Sequence, residues 1–250
     1  MVFGLFRKGE KKAAAQPPDG TVVYAVGDIH GCLGLLLSLQ QQIKEDMARR
    51  DASRRVVVYL GDYVDRGPKS RGVLDHLLTR PLPDCESVHL AGNHDRWMLK
   101  FLDDASVGPP WLRNGGAETL VSYGLVPPRT LGEAELTALQ KAFNAALPAA
   151  HRTFLESMPA SHEEGDFFFA HAGVKPGVAL SEQTEHDLTW IREEFLYSDQ
   201  DFGKVIVHGH TPTHTPEEYS NRIGVDTGAF MSGKLSAVVL YGGKTSFMHS

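Results

Sequence analysis

The sequence is poor in cysteine, in excess positive charge and in long apolar runs. Two cysteines, Cys32 and Cys85, among 250 residues can form neither a disulfide framework nor a thiolate metal cluster. The net charge of -6 gives no basic face for nucleic acid. No apolar run approaches the roughly 20 residues that a membrane helix needs. We therefore expect a cytoplasmic protein, built around one large domain, that binds no nucleic acid.

Residues 1–20 differ in composition from the rest of the chain. The apolar residues 1–6 precede the basic residues Arg7, Lys8, Lys11 and Lys12, which is the reverse of the order in an export signal. We predict a flexible tail over residues 1–20 and a single domain over residues 21–250. A weak membrane-surface anchor is the alternative for the tail, because apolar residues beside a basic cluster can bind acidic lipid.

Strand-like and helix-like patterns alternate through the first hundred residues. β-branched, apolar runs at 21–26, 55–60 and 87–91 are each followed by a glycine-containing loop and then by helical spacing of leucines. The unit of about 30 residues is the length of a βαβ crossover. This rhythm alone predicts an open α/β sheet.

The pattern changes between residues 101 and 165, where strand-like runs disappear and good helix formers dominate. We predict a helical cap, inserted into the domain and lying over the site. Strands return at 167–170, 204–207 and 222–227, and we predict a helix over residues 181–195. Runs at 235–241 and 245–248, joined through Gly242 and Gly243, predict an antiparallel hairpin.

Five loops directly after apolar strands carry side chains that bind metal ions. These side chains are Asp28 and His30, Asp62, Asn93, His171, and His208 with His210. Carboxylate, imidazole and amide ligands suit Mn, Fe or Zn. Any one of these residues alone would more often be a turn former or an interior histidine. Their repetition at five strand ends, each with a flanking glycine, predicts one shared metal site.

Two metal ions about 3.5–4 Å apart, bridged by a carboxylate, can activate water and bind the oxygens of a displacement at phosphorus. Such a reaction also needs cationic donors for the phosphoryl oxygens, which arginine supplies, and an acid for the leaving oxygen. A histidine with a carboxylate partner suits the latter role. The loop after the second strand contains two carboxylates and an arginine, at Asp62, Asp65 and Arg66.

Five motifs in this order resemble the phosphoprotein phosphatase family, a branch of the calcineurin-like metallophosphoesterases. They are Gly-Asp-Ile-His-Gly at 27–31, Gly-Asp-Tyr-Val-Asp-Arg-Gly at 61–67, Gly-Asn-His-Asp at 92–95, His-Ala-Gly at 171–173 and His-Gly-His-Thr at 208–211. The resemblance covers roughly residues 21–241. It implies a β-sandwich flanked by helices, with a dinuclear metal site at the sheet edge.

The resemblance also implies a role for each matching residue. Asp28 and His30 hold the first metal, Asp62 bridges, and Asn93, His171 and His208 hold the second. His94 protonates the leaving group, Asp65 orients His94, and Arg66 binds the phosphate. Arg192 matches a second phosphate-binding arginine, Arg113 of the cap is a weaker candidate, and His210 is expected beside the ligands, not among them.

The leading functional hypothesis is a bacterial-type serine/threonine protein phosphatase that uses two divalent ions, with Mn²⁺ favoured over Fe or Zn. The family's eukaryotic members have Arg and Glu where this chain has Ala91 and Asp95, which weakens the assignment to phosphoprotein substrates. A dinucleoside polyphosphate hydrolase is the alternative, although such enzymes typically lack the aspartate at position 65. A catalytically silent metal-binding scaffold is disfavoured by the presence of Asp65, Arg66 and His94.

Overall fold

The computed structural model describes residues 14–80, 82–130 and 132–250. Most of the predicted tail therefore lies outside the described residues. Its last part is held in place, because the backbone N–H of Gln16 donates to Asp166 Oδ2 at 3.0 Å and the N–H of Asp166 donates to Gln16 O at 3.0 Å. Contact with the domain thus begins before residue 20.

The first five-stranded sheet contains the strands of the sequence rhythm and the C-terminal hairpin. Its members are β1 (Thr21–Val26), β2 (Arg54–Tyr59), β3 (Glu86–His89), β9 (Ser236–Tyr241) and β10 (Lys244–His249), in the order β10-β9-β1-β2-β3. The strands β1, β2 and β3 are parallel, whereas β9 pairs antiparallel with both β1 and β10. The predicted hairpin is confirmed.

The second five-stranded sheet comes from the later part of the chain. Its members are β4 (Ser161–Glu164), β5 (Phe167–Ala170), β6 (Val205–His208), β7 (Glu217–Glu218) and β8 (Arg222–Gly224), in the order β4-β5-β6-β8-β7. The central strands β5, β6 and β8 are parallel, and the edge strands β4 and β7 run antiparallel to their neighbours. A parallel arrangement brings the carboxyl ends of these central strands to one edge.

The two sheets pack face to face around a shared apolar layer. Val23 and Val58 of the first sheet meet Phe169 and Val207 of the second in a single cluster of buried side chains. Intervening residues such as Tyr24 point to the opposite face of the first sheet, as the two-residue period of a strand requires. The β-sandwich implied by the resemblance is confirmed. The open sheet expected from rhythm alone is wrong, because the chain starts a second sheet after residue 160.

Helices cover both outer faces of the sandwich. On the first sheet lie α1 (Leu33–Met47), α2 (Ser70–Thr79) and α3 (Asn93–Asp103). The outer face of the second sheet packs against α8 (Glu185–Trp190) and α9 (Glu193–Leu196), with a short helix α10 (Ala229–Ser232) after β8. The expected single helix over 181–195 is thus broken at Arg192. No helix among the described ranges is long and apolar enough to cross a membrane.

The predicted cap consists of helices that extend the outer layer of the first sheet. They are α4 (Gly108–Trp111), a π-type turn at Leu112–Gly116, α5 (Ala117–Ser122), α6 (Glu133–Ala146) and α7 (Ala149–Glu156). Trp111 packs between Phe101 and Phe143 within the same apolar cluster as the sheet. The segment predicted to lack strands nevertheless ends in β4, whose Ser-His-Glu-Glu sequence has no β-branched residue. Glu164 of β4 is fixed by an ion pair with Arg54.

Phe169 provides a test of the sandwich core, since its ring is fully buried between the two sheets. We expect Phe169→Ala to lower the free energy of unfolding by about 3–5 kcal/mol, through lost burial and the cavity left behind. Val126→Ala is the control, because Val126 is 86% exposed and should change stability by less than about 0.5 kcal/mol. Urea unfolding followed by circular dichroism measures both, and equal midpoints would contradict this packing.

Candidate metal centre and active site

The candidate site lies where strand ends of both sheets meet the start of α3. Five of its residues that are not glycine adopt left-handed backbone conformations: His30 (φ 43°), Asp62 (φ 53°), Asp65 (φ 70°), Arg66 (φ 66°) and His210 (φ 65°). Such conformations cost on the order of 1–3 kcal/mol each and persist where surrounding contacts enforce them. Their concentration at one place is typical of a functional site.

Asp95 fixes the loop that carries Asp62. Its fully buried carboxylate accepts the backbone N–H groups of Asp62 at 2.8 Å, Tyr63 at 3.0 Å and Gly92 at 2.9 Å. It lies in the first turn of α3, where the positive end of the helix dipole favours a carboxylate. Gly92 is required by the close approach, since a Cβ there would lie 2.1 Å from Asp62 Oδ1.

Asp62 lies at the centre of the site. Its Oδ2 is 3.4 Å from His30 Nε2 and 3.4 Å from His171 Nε2, while its Oδ1 accepts the backbone N–H of His94 at 2.9 Å. One carboxylate oxygen therefore faces imidazoles from two different sheets. This is the arrangement expected of a bridging ligand.

The first group of potential ligands surrounds His30. The Nδ1–H of His30 donates to Val64 O at 2.8 Å, which leaves Nε2 as an acceptor facing Asp62 Oδ2 at 3.4 Å and Asp28 Oδ2 at 4.0 Å. Asp28 is itself positioned by the backbone N–H of His210, at 3.1 Å from its Oδ1. Together with His94, His30 and Asp62 form a buried group able to hold a metal ion.

The second group surrounds His171. Its Nδ1–H donates to Leu60 O at 2.9 Å, so its Nε2 is an acceptor. That Nε2 lies 2.9 Å from Asn93 Oδ1 and 3.1 Å from His210 Nδ1. Asp62, His171 and His210 form the second buried group able to hold a metal ion.

His210, and not His208, lies in this second group, so the expected placement of the two histidines is reversed. His208 directs Nδ1–H to Gly209 O at 3.1 Å and packs edge-on against Phe195, away from Asp62. Both residues follow the same strand, β6, but the left-handed conformation of His210 turns its ring towards His171. The sequence pattern gave two histidines in one motif and no means to choose between them.

The donor set fits divalent metal ions. Burial lowers the pKa of His30 to about 3, of His208 to about 4 and of His210 to about 2, so these imidazoles are neutral, as metal ligation requires. Acceptor atoms of Asn93 and His171 face each other, and His210 Nε2 is buried with no hydrogen-bond partner among the described residues. A cation bound by the facing acceptor atoms of Asn93 and His171 would offset the repulsion between them.

The buried carboxylates lead to the same conclusion. Burial and the charges of Asp226 and Asp62 raise the pKa of Asp28 well above its usual range. Burial also raises the pKa of Asp226 to about 6, with a further contribution from Asp62. Burial alone would raise the pKa of Asp62 too, but the positive charges that His171, His94 and His30 carry when protonated outweigh it and hold the pKa low. Three buried carboxylates so close together are stabilised by a nearby cation.

His94 and Asp65 form a hydrogen-bonded pair beside the metal-competent groups. The Nδ1–H of His94 donates to Asp65 Oδ2 at 2.7 Å, and Asp65 receives further hydrogen bonds from Trp111 Nε1 at 2.9 Å and Thr119 Oγ1 at 2.7 Å. Burial would lower the pKa of His94, but the carboxylates of Asp62 and Asp65 outweigh it and raise the pKa. The helical region thus positions the aspartate, and the aspartate positions the histidine.

Three arginines line one open cleft of about 580 Å³ next to His210: Arg66, Arg113 and Arg192. Guanidinium nitrogens of Arg66 lie 3.1 Å from Nε2 of both His30 and His94, so this side chain faces the metal-competent groups. Its backbone N–H is held by Gly115 O at 3.0 Å. Gly115 has a φ of 107°, and a Cβ there would lie 2.5 Å from Arg66 N.

The structure brings Arg192 and Arg113 to the site from different directions. Arg192 lies at the break between α8 and α9, is exposed, and donates to Thr211 Oγ1 at 3.3 Å. Arg113 lies in the π-type turn of the helical region. Both residues were sequence candidates, and both line the cleft.

Sequence reasoning missed four contributors to the site: Asp95 as a clamp, Trp111 and Thr119 as donors to Asp65, and Asp226. Asp226 follows the end of β8 at Gly224, but the strand predicted over residues 222–227 placed it inside a strand, so the strand-end rule did not select it. Trp111 and Thr119 carry no such signal. Their contacts to Asp65 span 46 and 54 residues and depend on how the helical region folds back.

Comparison with known proteins gives one family and several relatives. The family model described as "Calcineurin-like phosphoesterase" matches residues 21–239. Bis(5'-nucleosyl)-tetraphosphatase PrpE (asymmetrical) of Halalkalibacterium halodurans is 25% identical to this chain, covering 85% of this chain and 87% of the relative. The protein of the same name from Bacillus velezensis is 26% identical, covering 84% and 86%.

Solved structures agree on the fold. A protein provisionally described as a diadenosine tetraphosphatase has a TM-score of 0.61 at 23% identity, covering 96% of this chain and 99% of its own. A protein serine/threonine phosphatase from Saccharomyces cerevisiae has a TM-score of 0.56 at 13% identity, covering 94% and 84%. At these identities the similarity concerns the fold alone.

The two histidines after β6 give a matched pair of variants for metal binding. We expect His210→Ala to lose close to one equivalent of bound Mn²⁺, because His210 Nδ1 faces His171 Nε2 at 3.1 Å within the group Asp62, His171 and His210. His208→Ala should keep its metal, since that ring lies outside both groups. Elemental analysis of protein dialysed against Mn²⁺ measures this. Metal loss in the His208 variant with full occupancy in the His210 variant would reverse the assignment.

Asp65→Asn should change the pH dependence of turnover. A general acid at His94 is active only while protonated, so activity falls as pH rises through its pKa. Removing the Asp65 charge removes one cause of the raised pKa, so the alkaline limb of the kcat profile should move to lower pH and kcat should fall at least tenfold. Asp103→Asn, at an exposed carboxylate, is the control. An unchanged alkaline limb would contradict this role of Asp65.

Proposed function

This chain belongs to the calcineurin-like phosphoesterase family, and we propose that it is a metal-dependent hydrolase of dinucleoside polyphosphates. The observation that carries the proposal is the cleft with three arginines beside the metal-competent groups. A chain of phosphates spreads several negative charges over a length that a single guanidinium cannot cover. Arg66, Arg113 and Arg192 together offer planar donor pairs to more than one phosphate.

The names of the relatives support the same substrate class. The matching proteins from Halalkalibacterium halodurans and Bacillus velezensis are named tetraphosphatases of bis(5'-nucleosyl) substrates and align along most of their length. We therefore favour the dinucleoside polyphosphate hydrolase, which the motifs left open, over the phosphoprotein phosphatase, which the motifs favoured.

Two divalent metal ions would supply Lewis-acid stabilisation of phosphoryl oxygens and a nucleophilic water. In our proposal Asp28, His30 and Asp62 hold one ion, and Asn93, His171 and His210 hold the other with Asp62 shared. Mn²⁺ is the first candidate, with Fe and Zn as alternatives for the same ligands.

The remaining residues act on the substrate directly or position those that do. Arg66 and Arg192 donate hydrogen bonds to non-bridging phosphoryl oxygens and offset the charge that develops there. His94 releases the proton on Nε2 to the leaving oxygen, while its Nδ1–H stays bound to Asp65. Trp111 and Thr119 keep the Asp65 carboxylate fixed during this transfer.

A serine/threonine protein phosphatase is the second candidate, and the His94–Asp65 pair favours it. The alkoxide that leaves phosphoserine is strongly basic and needs a proton in the transition state. A phosphate leaving from an anhydride is a weaker base and depends less on an acid. An acid held as firmly as His94 is thus most valuable for a phosphomonoester.

Arg113 separates the two candidates, because it reaches the cleft from the helical region and not from the motif loops that carry the metal-competent side chains. With Mn²⁺ present, wild-type kcat/KM should be at least tenfold higher on diadenosine tetraphosphate than on a phosphoserine peptide. Arg113→Ala should lower kcat/KM on the dinucleotide about tenfold and change hydrolysis of a small aryl phosphate much less.

Arg129→Ala is the matched control, as Arg129 is an exposed arginine of the same helical region outside the cleft. Equal or better turnover of the phosphopeptide by the wild type would overturn the dinucleotide assignment in favour of the phosphatase. An equal loss on all substrates in the Arg113 variant would overturn its role in binding the phosphate chain.

A further inference from the structure

A second cavity, of about 450 Å³, lies beside the arginine cleft and has no role in the chemistry above. We call it the tyrosine pocket, and the side chains that matter for its chemistry are Tyr197, Asp199, Thr211, Glu217, Tyr219 and Arg222. Its volume is within the range of about 300–1,000 Å³ that holds small organic ligands.

The tyrosine pocket and the arginine cleft share a wall formed by the segment after β6. His210 and Pro212 line the cleft, whereas Thr211 and Thr213 line the pocket. Alternate residues of this segment thus face the two cavities. Arg192 of the cleft donates to Thr211 Oγ1 of the pocket at 3.3 Å, so the two cavities meet at this hydrogen bond.

The pocket presents flat, exposed aromatic surface. The side chain of Tyr197 is 83% exposed and that of Tyr219 is 48% exposed, although both belong to a chain that buries most of its large side chains. Arg222, only 9% exposed, lies with its guanidinium 3.8 Å from the centre of the Tyr219 ring and donates to Asn221 Oδ1 at 3.4 Å. Tyrosine rings and a planar guanidinium are surfaces on which nucleobases stack.

The charges of the pocket favour a neutral ligand over a phosphate. Among the described residues that line it, Asp199 and Glu217 contribute two carboxylates and Arg222 contributes one guanidinium. Carboxylates repel a phosphate group but accept hydrogen bonds from the exocyclic amine of a base or from ribose hydroxyls. The three arginines of the neighbouring cleft carry the opposite charge.

From these observations we propose that the tyrosine pocket binds one nucleoside of the substrate while the arginine cleft binds its phosphate chain. This inference rests on the proposed function and extends it, because it assigns a specificity site to a part of the chain that takes no part in the chemistry. A phosphopeptide would leave the pocket without a ligand. A substrate with a nucleoside at the end of a phosphate chain fills both cavities.

Two variants test the pocket through activity. Tyr197→Ala removes an exposed ring, and Asp199→Ala removes a carboxylate, so neither should disturb folding. We expect Tyr197→Ala to raise KM for diadenosine tetraphosphate about ten- to hundredfold, the range for loss of a base-stacking contact. Asp199→Ala, which removes a hydrogen-bond acceptor, should raise it about tenfold. In both variants kcat and the hydrolysis of an aryl phosphate should be unchanged. Val126→Ala, at an exposed apolar side chain remote from the pocket lining, should leave both substrates unaffected.

A binding measurement separates this inference from the proposed function. Adenosine, which carries no phosphate, is titrated into the wild type and into Tyr197→Ala, and binding is followed by saturation-transfer NMR and calorimetry. Weaker binding to the variant by tenfold or more supports the pocket, even if the wild type hydrolyses no dinucleotide and the proposed function fails. Efficient dinucleotide hydrolysis with unchanged KM in both variants, or no adenosine binding to the wild type, overturns the pocket and leaves the proposed function standing.

Discussion

The carboxylate of Asp95 is the constraint on which the geometry of the site depends. By accepting the N–H groups of Asp62, Tyr63 and Gly92, it ties the loop after β2 to the start of α3. Only because these two segments touch can Asp62 extend one oxygen between His30 and His171 while the other accepts the N–H of His94. The positions of Asp62 and His94 relative to His30 and His171 therefore depend on one buried residue. This arrangement buries the carboxylate of Asp95 close to Asp62. Burial and the charge of Asp62 raise the pKa of Asp95 to about 8, although the three backbone N–H donors lower it.

Folding and metal binding are linked by the same geometry. The left-handed conformations of His30, Asp62 and His210, and the crowding of Asp28 and Asp226 around Asp62, all oppose the folded chain when no cation is near. A divalent ion binds these ligands only where they are assembled, so its binding free energy is added to the stability of the assembled site. The buried apolar layers of the sandwich provide the stability that offsets this strain, since each of the strained loops follows a strand that is buried between layers.

The sequence predicted the parts of this site that lie close together along the chain. Every loop named from the strand-end pattern is at the site, since a parallel strand and its following loop form a local unit, as β1 with Asp28 and His30 illustrates. Features that depend on packing between distant parts of the chain could not be predicted from the sequence. His208 and His210 differ by the direction in which a left-handed residue turns, and Trp111 reaches Asp65 only after the helical region folds onto the first sheet. The central strands of the second sheet, β5, β6 and β8, were predicted, but their separation from the first sheet was not, because strand pairing depends on packing between distant parts of the chain.

Asp65 does not select the substrate, although its presence argued against a dinucleotide hydrolase. In our proposal the hydrogen bond from His94 Nδ1 to the Asp65 carboxylate orients the histidine in the same way for a leaving alkoxide and for a leaving phosphate. Selection has to come from groups that touch what differs between substrates: the number of charges beyond the reacting phosphate and the group at the far end. We propose that in this chain those groups are Arg113 and Arg192 in the cleft and the tyrosine pocket behind Thr211. They belong to the connections between strands and not to the motif loops, so two enzymes with identical metal ligands can differ in substrate through these connections alone.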